Sequence, residues 1–176
     1  MNFDETNATE SAYQPTVPST GTRPGVSPDR LAAVLQAAGY RATITETNGF
    51  FEVKSAAQGL NFFARFGNRA GPGAQFLDFT FFCPLAVNGE LSQGVLDLWN
   101  RSRRFARLTR EQQLLVLAMD VLAAGGVPDL YLRAQCELWD NMIRDLIIHL
   151  RQSGSSPPPA ASESTPIALP NGGEGH

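Results

Sequence analysis

The chain is poor in the residues that many chemistries require. Its 176 residues include two cysteines, Cys83 and Cys136, two histidines and a single lysine, Lys54. So few thiols argue against a disulfide-built secreted domain and fit a reducing compartment, where a small buried thiol packs as core. Only His149 lies outside the C-terminal stretch, and with the cysteines it makes neither a C-x-x-C nor an H-x-x-x-H spacing. No metal site and no cofactor are therefore expected. Positive charge is not in surplus either. The formal net charge is −3 and the sequence pI about 5.4, which withholds the general attraction a polyanion binder needs. Long apolar runs are missing too: "QLLVLAMDVLAAGG" falls short of the roughly 20 residues that span a bilayer, and it carries Asp120. The opening "MNFDETNATESAYQPTVPST" has neither the basic start nor the apolar stretch of a secretory signal. The expectation is a cytoplasmic protein with no membrane contact.

What is present is enough for one core. Hydrophobic residues make up 43% of the chain, a globular share. They are concentrated between two polar ends. Residues 1–26 and 152–176 are rich in Ser, Thr, Pro, Gly and acidic side chains without apolar periodicity, so both are expected to be disordered tails around a domain of residues 27–151.

The domain opens with "SPDRLAAVLQAAGY", which predicts a helix. Ser27 is placed to cap it, Pro28 suits its first turn, Leu31, Val34, Leu35 and Ala38 share one face, and Gly39 ends it. In "RATITETNGFFEVKS", Asn48 and Gly49 suit the positive-φ positions of a two-residue hairpin turn. That turn sets Ile44 opposite Val53 and Thr45 opposite Glu52, segregating apolar from polar side chains.

Two more strands are expected, "LNFFARF" from Leu60 and "AQFLDFTFF" ending near Cys83, joined by the loop "GNRAGPG". Nine of the 11 phenylalanines fall between Phe50 and Phe82, and the pairs Phe50/Phe51, Phe62/Phe63 and Phe81/Phe82 must send one ring to each side of a sheet. Both faces are thus partly apolar. Helices explain one; the other needs a loop, a further helix or a partner.

"GELSQGVLDLWNRS" spaces Leu91, Val95, Leu98 and Trp99 along one face of a second helix. "RFARLT" and "QLLVLAMDVL" are helical by propensity or extended by context, which the residues alone leave open. "GGVPDLYLRAQCELWDNMIRDLIIHLRQ" predicts a long helix with Pro128 early and an apolar stripe from Leu138 to Leu150.

Three signatures, "TNGFFEV", "DLWNRSRRFAR" and "LVLAMDVLAAGGV", together with this element order, resemble the bacterial YbjN family over about residues 28–150. The resemblance implies an α+β fold like that of type III secretion chaperones, a curved antiparallel sheet covered by helices in the order α-β-β-β-(β)-α-β-β-α. It makes both ambiguous segments strands, and it implies a role in sensory-transduction regulation without known enzymatic activity. The chain departs from the family pattern at Asp97, where Asn is usual, and at "TREQQ", where an Asp-Gly type turn is usual, so the last hairpin turn is left open.

The candidate residues follow. Arg101, Arg103, Arg104, Arg107 and Arg110 would make a phosphate-binding stripe on one helix. If the chain turns into a strand near Arg104 they divide between two sheet faces and a helix end. The resemblance favours the second arrangement, so nucleic acid is the alternative partner and not the leading one. Phe50, Phe63, Phe82 and Trp139 are candidate contacts for a protein partner or for self-association as a homodimer, although Trp99 and Trp139, at helical spacing beside Leu and Ile, suit a core better. Asp78 and Asp120, each inside an apolar strand, resemble a carboxylate pair but have no nucleophile pattern beside them, so catalysis is not expected.

Overall fold

The computed structural model describes residues 25–86 and 92–153; the two predicted tails fall almost wholly outside them, as does Leu91. The described chain runs α1 (Pro28–Ala37), β1 (Thr43–Thr47), β2 (Phe50–Ala57), β3 (Leu60–Phe66), β4 (Asp78–Ala86), α2 (Gln93–Ser102), β5 (Arg107–Glu111), β6 (Leu114–Leu122) and α3 (Asp129–Gln152). The six strands form one unclosed antiparallel sheet in the order β1-β2-β3-β4-β6-β5. The α+β class and the element order expected above are those observed.

Local chemistry explains most of the boundaries. The Ser27 hydroxyl accepts from the Arg30 N–H at 3.2 Å, Pro28 occupies the first turn of α1, and Leu31, Val34 and Leu35 are buried. Asn48 and Gly49 sit at φ 52° and 79°, and Ile44 pairs with Val53 and Thr45 with Glu52, the predicted register. A second two-residue turn, Gln58–Gly59, repeats this geometry between Ala57 and Leu60. The last hairpin turns at Gln112–Gln113, with Gln112 at φ 55° standing where glycine or asparagine is usual.

Several expectations are corrected. β4 starts at Asp78 and runs on to Ala86, because Phe76 is drawn into bridges with Val26 and Arg69 before the strand proper. β5 begins only at Arg107, since Phe105 at φ 74° breaks the extended path. Pro128 precedes α3 as its extended N-cap residue and is not its first helical residue. Leu98, expected on the buried face of α2, is 50% exposed; Val95, Leu96 and Trp99 carry the packing instead.

The core lies on one side of the sheet. Val53, Phe62, Ala64, Phe79, Phe81, Cys83, Leu117 and Met119, which the pairings bring to one face, are buried with Leu31 and Leu35 of α1, Trp99 of α2 and Leu132, Trp139, Ile143 and Leu146 of α3. Trp139 stacks on Phe81 with ring centroids 5.3 Å apart and an interplanar angle of 12°, and meets Phe62 edge-on at 6.0 Å. Aromatic pairs of this kind add about 0.5–1.5 kcal/mol beyond area burial. Both helix ends are tied down. Arg30 donates to Asp129 and to the Val127 carbonyl, holding the start of α3 against α1. At the other end His149, buried, donates from Nε2 to the Val95 carbonyl at 2.9 Å and lies edge-on to Trp99, locking α3 to α2. His149 is thus a packing residue near a helix terminus.

Candidate functional site

The opposite face of the sheet has no helix on it among the described residues. Strand alternation sends Glu52, Lys54, Phe63, Arg65, Thr80, Phe82, Val116, Ala118, Asp120 and Arg107 to this side. Phe63 pairs directly with Phe82, and the rings stack at 5.3 Å with an interplanar angle of 25°. Both remain half-buried. The Arg65 guanidinium lies 5.3 Å from the Phe63 centroid and 5.8 Å from that of Phe82, while donating to Glu52 at 2.7 Å. Glu52 thereby fixes the arginine beside the aromatic pair. Val116 and Ala118 of β6 are buried yet stand outside the main core. The result is an apolar strip bordered by charge.

On the far side of the strip Asp120 accepts from Thr80 Oγ1 at 2.6 Å and from Arg107. Burial raises the Asp120 carboxyl, but the hydrogen bonds from Arg107 and Thr80 and the arginine's charge outweigh it, so the group is held below the ordinary carboxylate range. Asp78 is engaged separately, accepting from Asn68 Nδ2 at 2.7 Å. A Cβ at Gly67 would lie 2.1 Å from Asp78 Oδ1, so a larger residue there would push the Asp78 carboxylate aside. Each carboxylate is thus satisfied by its own donors, and the pair is not a proton-sharing dyad. The thiols are unsuited to nucleophilic work: burial pushes both Cys83 and Cys136 up to about 12. Among the described residues no cluster of metal-ligating side chains occurs, and no helix is long and apolar enough to cross a membrane.

The predicted candidates are dispersed by this geometry. Phe63 and Phe82 are brought together. Phe50 is on the same face, toward the β1 edge, and is 55% exposed. Trp139 is 1% exposed beneath α3, which removes it from any contact surface: its ring fills the space over Phe81 that a smaller residue would leave empty. The arginines do not form one stripe. Arg103 reaches Asp145 at 3.5 Å and lies over Trp99, Arg107 pairs with Asp120 on the open face, and Arg104 lies over the exposed ring of Phe105. Arg101 is in the last turn of α2 and Arg110 is on edge strand β5, both exposed.

Sequence reasoning missed Asn100. Its side-chain amide donates to the Leu108 carbonyl at 2.9 Å and accepts from the Leu108 N–H at 2.9 Å, occupying the outward groups of β5 as a neighbouring strand would. The signal was in plain view, an asparagine inside the "DLWNRSRRFAR" signature, but nothing in spacing alone says which backbone it meets.

These features coincide with a family pattern. The sequence model of the YbjN family, described as "Putative bacterial sensory transduction regulator", matches residues 27–152. The chain belongs to the YbjN family. No curated protein and no solved structure matches it. Three segments within the matched range build much of the sheet. "TNGFFEV" turns the first hairpin, "DLWNRSRRFAR" supplies Trp99 to the core and Asn100 to the β5 edge, and "LVLAMDVLAAGGV" is the interior strand β6 with its exit.

Proposed function

We propose that this YbjN domain is a non-enzymatic, cytoplasmic regulatory module that binds protein in a chaperone-like manner through the uncovered face of its sheet. The observation that carries the reading is the stacked Phe63–Phe82 pair, half-buried on a face with no helix among the described residues, with Arg65 held beside it by Glu52. Aromatic and arginine side chains at the centre of a charge-rimmed apolar strip are the residue types that dominate protein interfaces. An apolar segment of a partner chain laid over this strip removes the exposed parts of the two rings from water. Folding alone leaves that gain unrealised.

The test is fluorescence of a hydrophobic surface probe on the full-length protein. Wild type should enhance the probe, and Phe63→Thr with Phe82→Thr should abolish most of the enhancement while leaving the circular dichroism unchanged. A wild-type protein that gives no enhancement sinks the reading.

One observation supports a second reading, a nucleic-acid-associated regulator using the Arg101–Arg110 segment. Arg104 lies over the exposed Phe105 ring, a pairing suited to stacking on single-stranded bases. It requires binding to oligonucleotides that weakens with salt and with Arg101→Ala, Arg104→Ala and Phe105→Ala together.

A further inference from the structure

The aromatic pair on the open face lies in a row of cross-strand neighbours that runs Lys54, Phe63, Phe82, Ala118, Arg107. A cation therefore flanks the strip on each side, with Arg65 beside the rings. Lys54 is the least neutralised of the three. It stands 4.0 Å from Glu52, whose carboxylate is held by Arg65 at 2.7 Å, while Arg107 has Asp120. Val116 and Ala118 are 1% and 3% exposed on a face that carries no described helix, which fits a cover drawn from outside the described residues.

The chain holds one segment with the matching chemistry. Residues 154–176 follow α3 and lie outside the described residues. After Arg151 the sequence has no lysine or arginine, two glutamates, Glu163 and Glu174, and one apolar cluster, Ile167, Ala168 and Leu169, set between Pro166 and Pro170. Ahead of α1, by contrast, Phe3, Tyr13 and Val17 are scattered among polar residues. Ile167 and Leu169 are two residues apart, so an extended segment sends both to one side at a spacing of about 6.6 Å, close to the 5.3 Å between the Phe63 and Phe82 rings. The flanking prolines lack the N–H groups that pairing at a sheet edge uses, but leave side-chain contact with a face untouched. Reach is sufficient. The 14 residues from Ser153 to Ile167 span about 46–50 Å when extended, and a six-stranded sheet is about 24 Å across.

We propose that residues 166–170 of the same chain lie across the Phe63–Phe82 strip, with Ile167 and Leu169 on the rings and Glu163 within reach of Lys54, and that a protein partner must displace them. The inference rests on the reading of this strip as a binding surface and adds its regulation. A tether of this length sets an effective concentration of about a millimolar, so two apolar side chains occupy the strip for part of the time and yield to a partner that binds it better.

The test uses the full-length chain, changed only outside the folded domain. Ile167→Ser with Leu169→Ser should raise the fluorescence of the hydrophobic surface probe at least twofold over wild type, by the same factor at every protein concentration. In the Phe63→Thr, Phe82→Thr background the same pair of substitutions should change nothing, which ties the effect to the strip. A peptide of residues 162–171, added at millimolar concentration, should return the serine variant toward the wild-type signal. The inference is overturned if the serine variant gives no more signal than wild type, if its excess survives in the threonine background, or if the excess vanishes on dilution, which would assign the cover to a second copy. Equal enhancement of wild type and serine variant, lost with Phe63→Thr and Phe82→Thr, would overturn the tail contact and leave the partner-binding reading standing. No enhancement from either would overturn both.

Discussion

The two faces of the sheet are made of the same kinds of residue and end up in different environments. Phe62 and Phe63 are adjacent in β3, and Phe81 and Phe82 in β4. Phe62 and Phe81 meet Trp139 beneath α3 and are all but removed from water. Phe63 and Phe82 stack on each other beside Arg65 and stay half-exposed. The covered side is filled by close packing, which is worth the most free energy. The open side is held by one stacked pair and ion pairs at its border, which are worth little in water. Stability belongs to one face, and the binding proposed above belongs to the other.

The comparison breaks most visibly at Trp139. Trp139→Ala is expected to cost about 3–5 kcal/mol in urea unfolding, because the cavity over Phe81 and Phe62 cannot collapse between a helix and a sheet. Trp139→Phe should recover most of that. The indole N–H is buried with no hydrogen-bond partner in the protein, so the smaller ring gives up volume but no polar contact. A Trp139→Ala cost near that of a surface substitution would mean that α3 does not pack as described.

Next in size is the β5 edge. Asn100→Ala removes both hydrogen bonds to Leu108 and leaves two backbone groups facing outward, for an expected loss of about 1–2 kcal/mol. It should also convert β5 from a closed edge to an open one, seen as faster exchange of the Leu108 amide. Protection of that amide equal to wild type would show that another group satisfies it.

The covered face was legible in the sequence and the borders of the open one were not, for a physical reason. Periodicity reports which side chains leave water, so the α1 stripe, the Asn48–Gly49 register and the two-sided phenylalanine pairs could all be read from spacing. It does not report which residues meet across strands. The Glu52–Arg65 and Asp120–Arg107 pairs span 13 residues each and depend on sheet order, and the Asn100–Leu108 contact depends on how α2 turns into β5. Leu98 was misplaced for a related reason: a ten-residue helix offers more than one apolar face, and only the position of α3 selects among them. Trp139 was carried as both core and contact because a large aromatic suits either, until the ring over Phe81 decides it.

A smaller effect is expected on the open face itself. Phe82→Thr forfeits one stacked pair and one cation–π contact but keeps a β-branched residue suited to a strand, so about 1 kcal/mol is expected. Measured beside Trp139→Ala, it gives the ratio between the faces. A loss of 3 kcal/mol or more, on the scale of a core deletion, would mean that the open face is packed against something in solution.

The smallest effect is electrostatic, and it reports on water. Asp120 is held below its unfolded value, so its contribution is fully present above about pH 4, the usual carboxylate value, and is lost as pH falls from there through the native value. The side chains of Asp120 and Arg107 are 62% and 53% exposed, so solvent screens the pair and its contribution is about 0.2–1 kcal/mol. Wild type should therefore lose slightly more stability than Asp120→Asn between neutral pH and pH 3, and the difference should vanish in about 1 M salt, where the Debye length falls to about 3 Å. If the difference persists at high salt, the pair is shielded from the solvent ions. Shielding that appears only at high protein concentration would show a second copy lying over this face, and shielding at every concentration would place a segment of the same chain there.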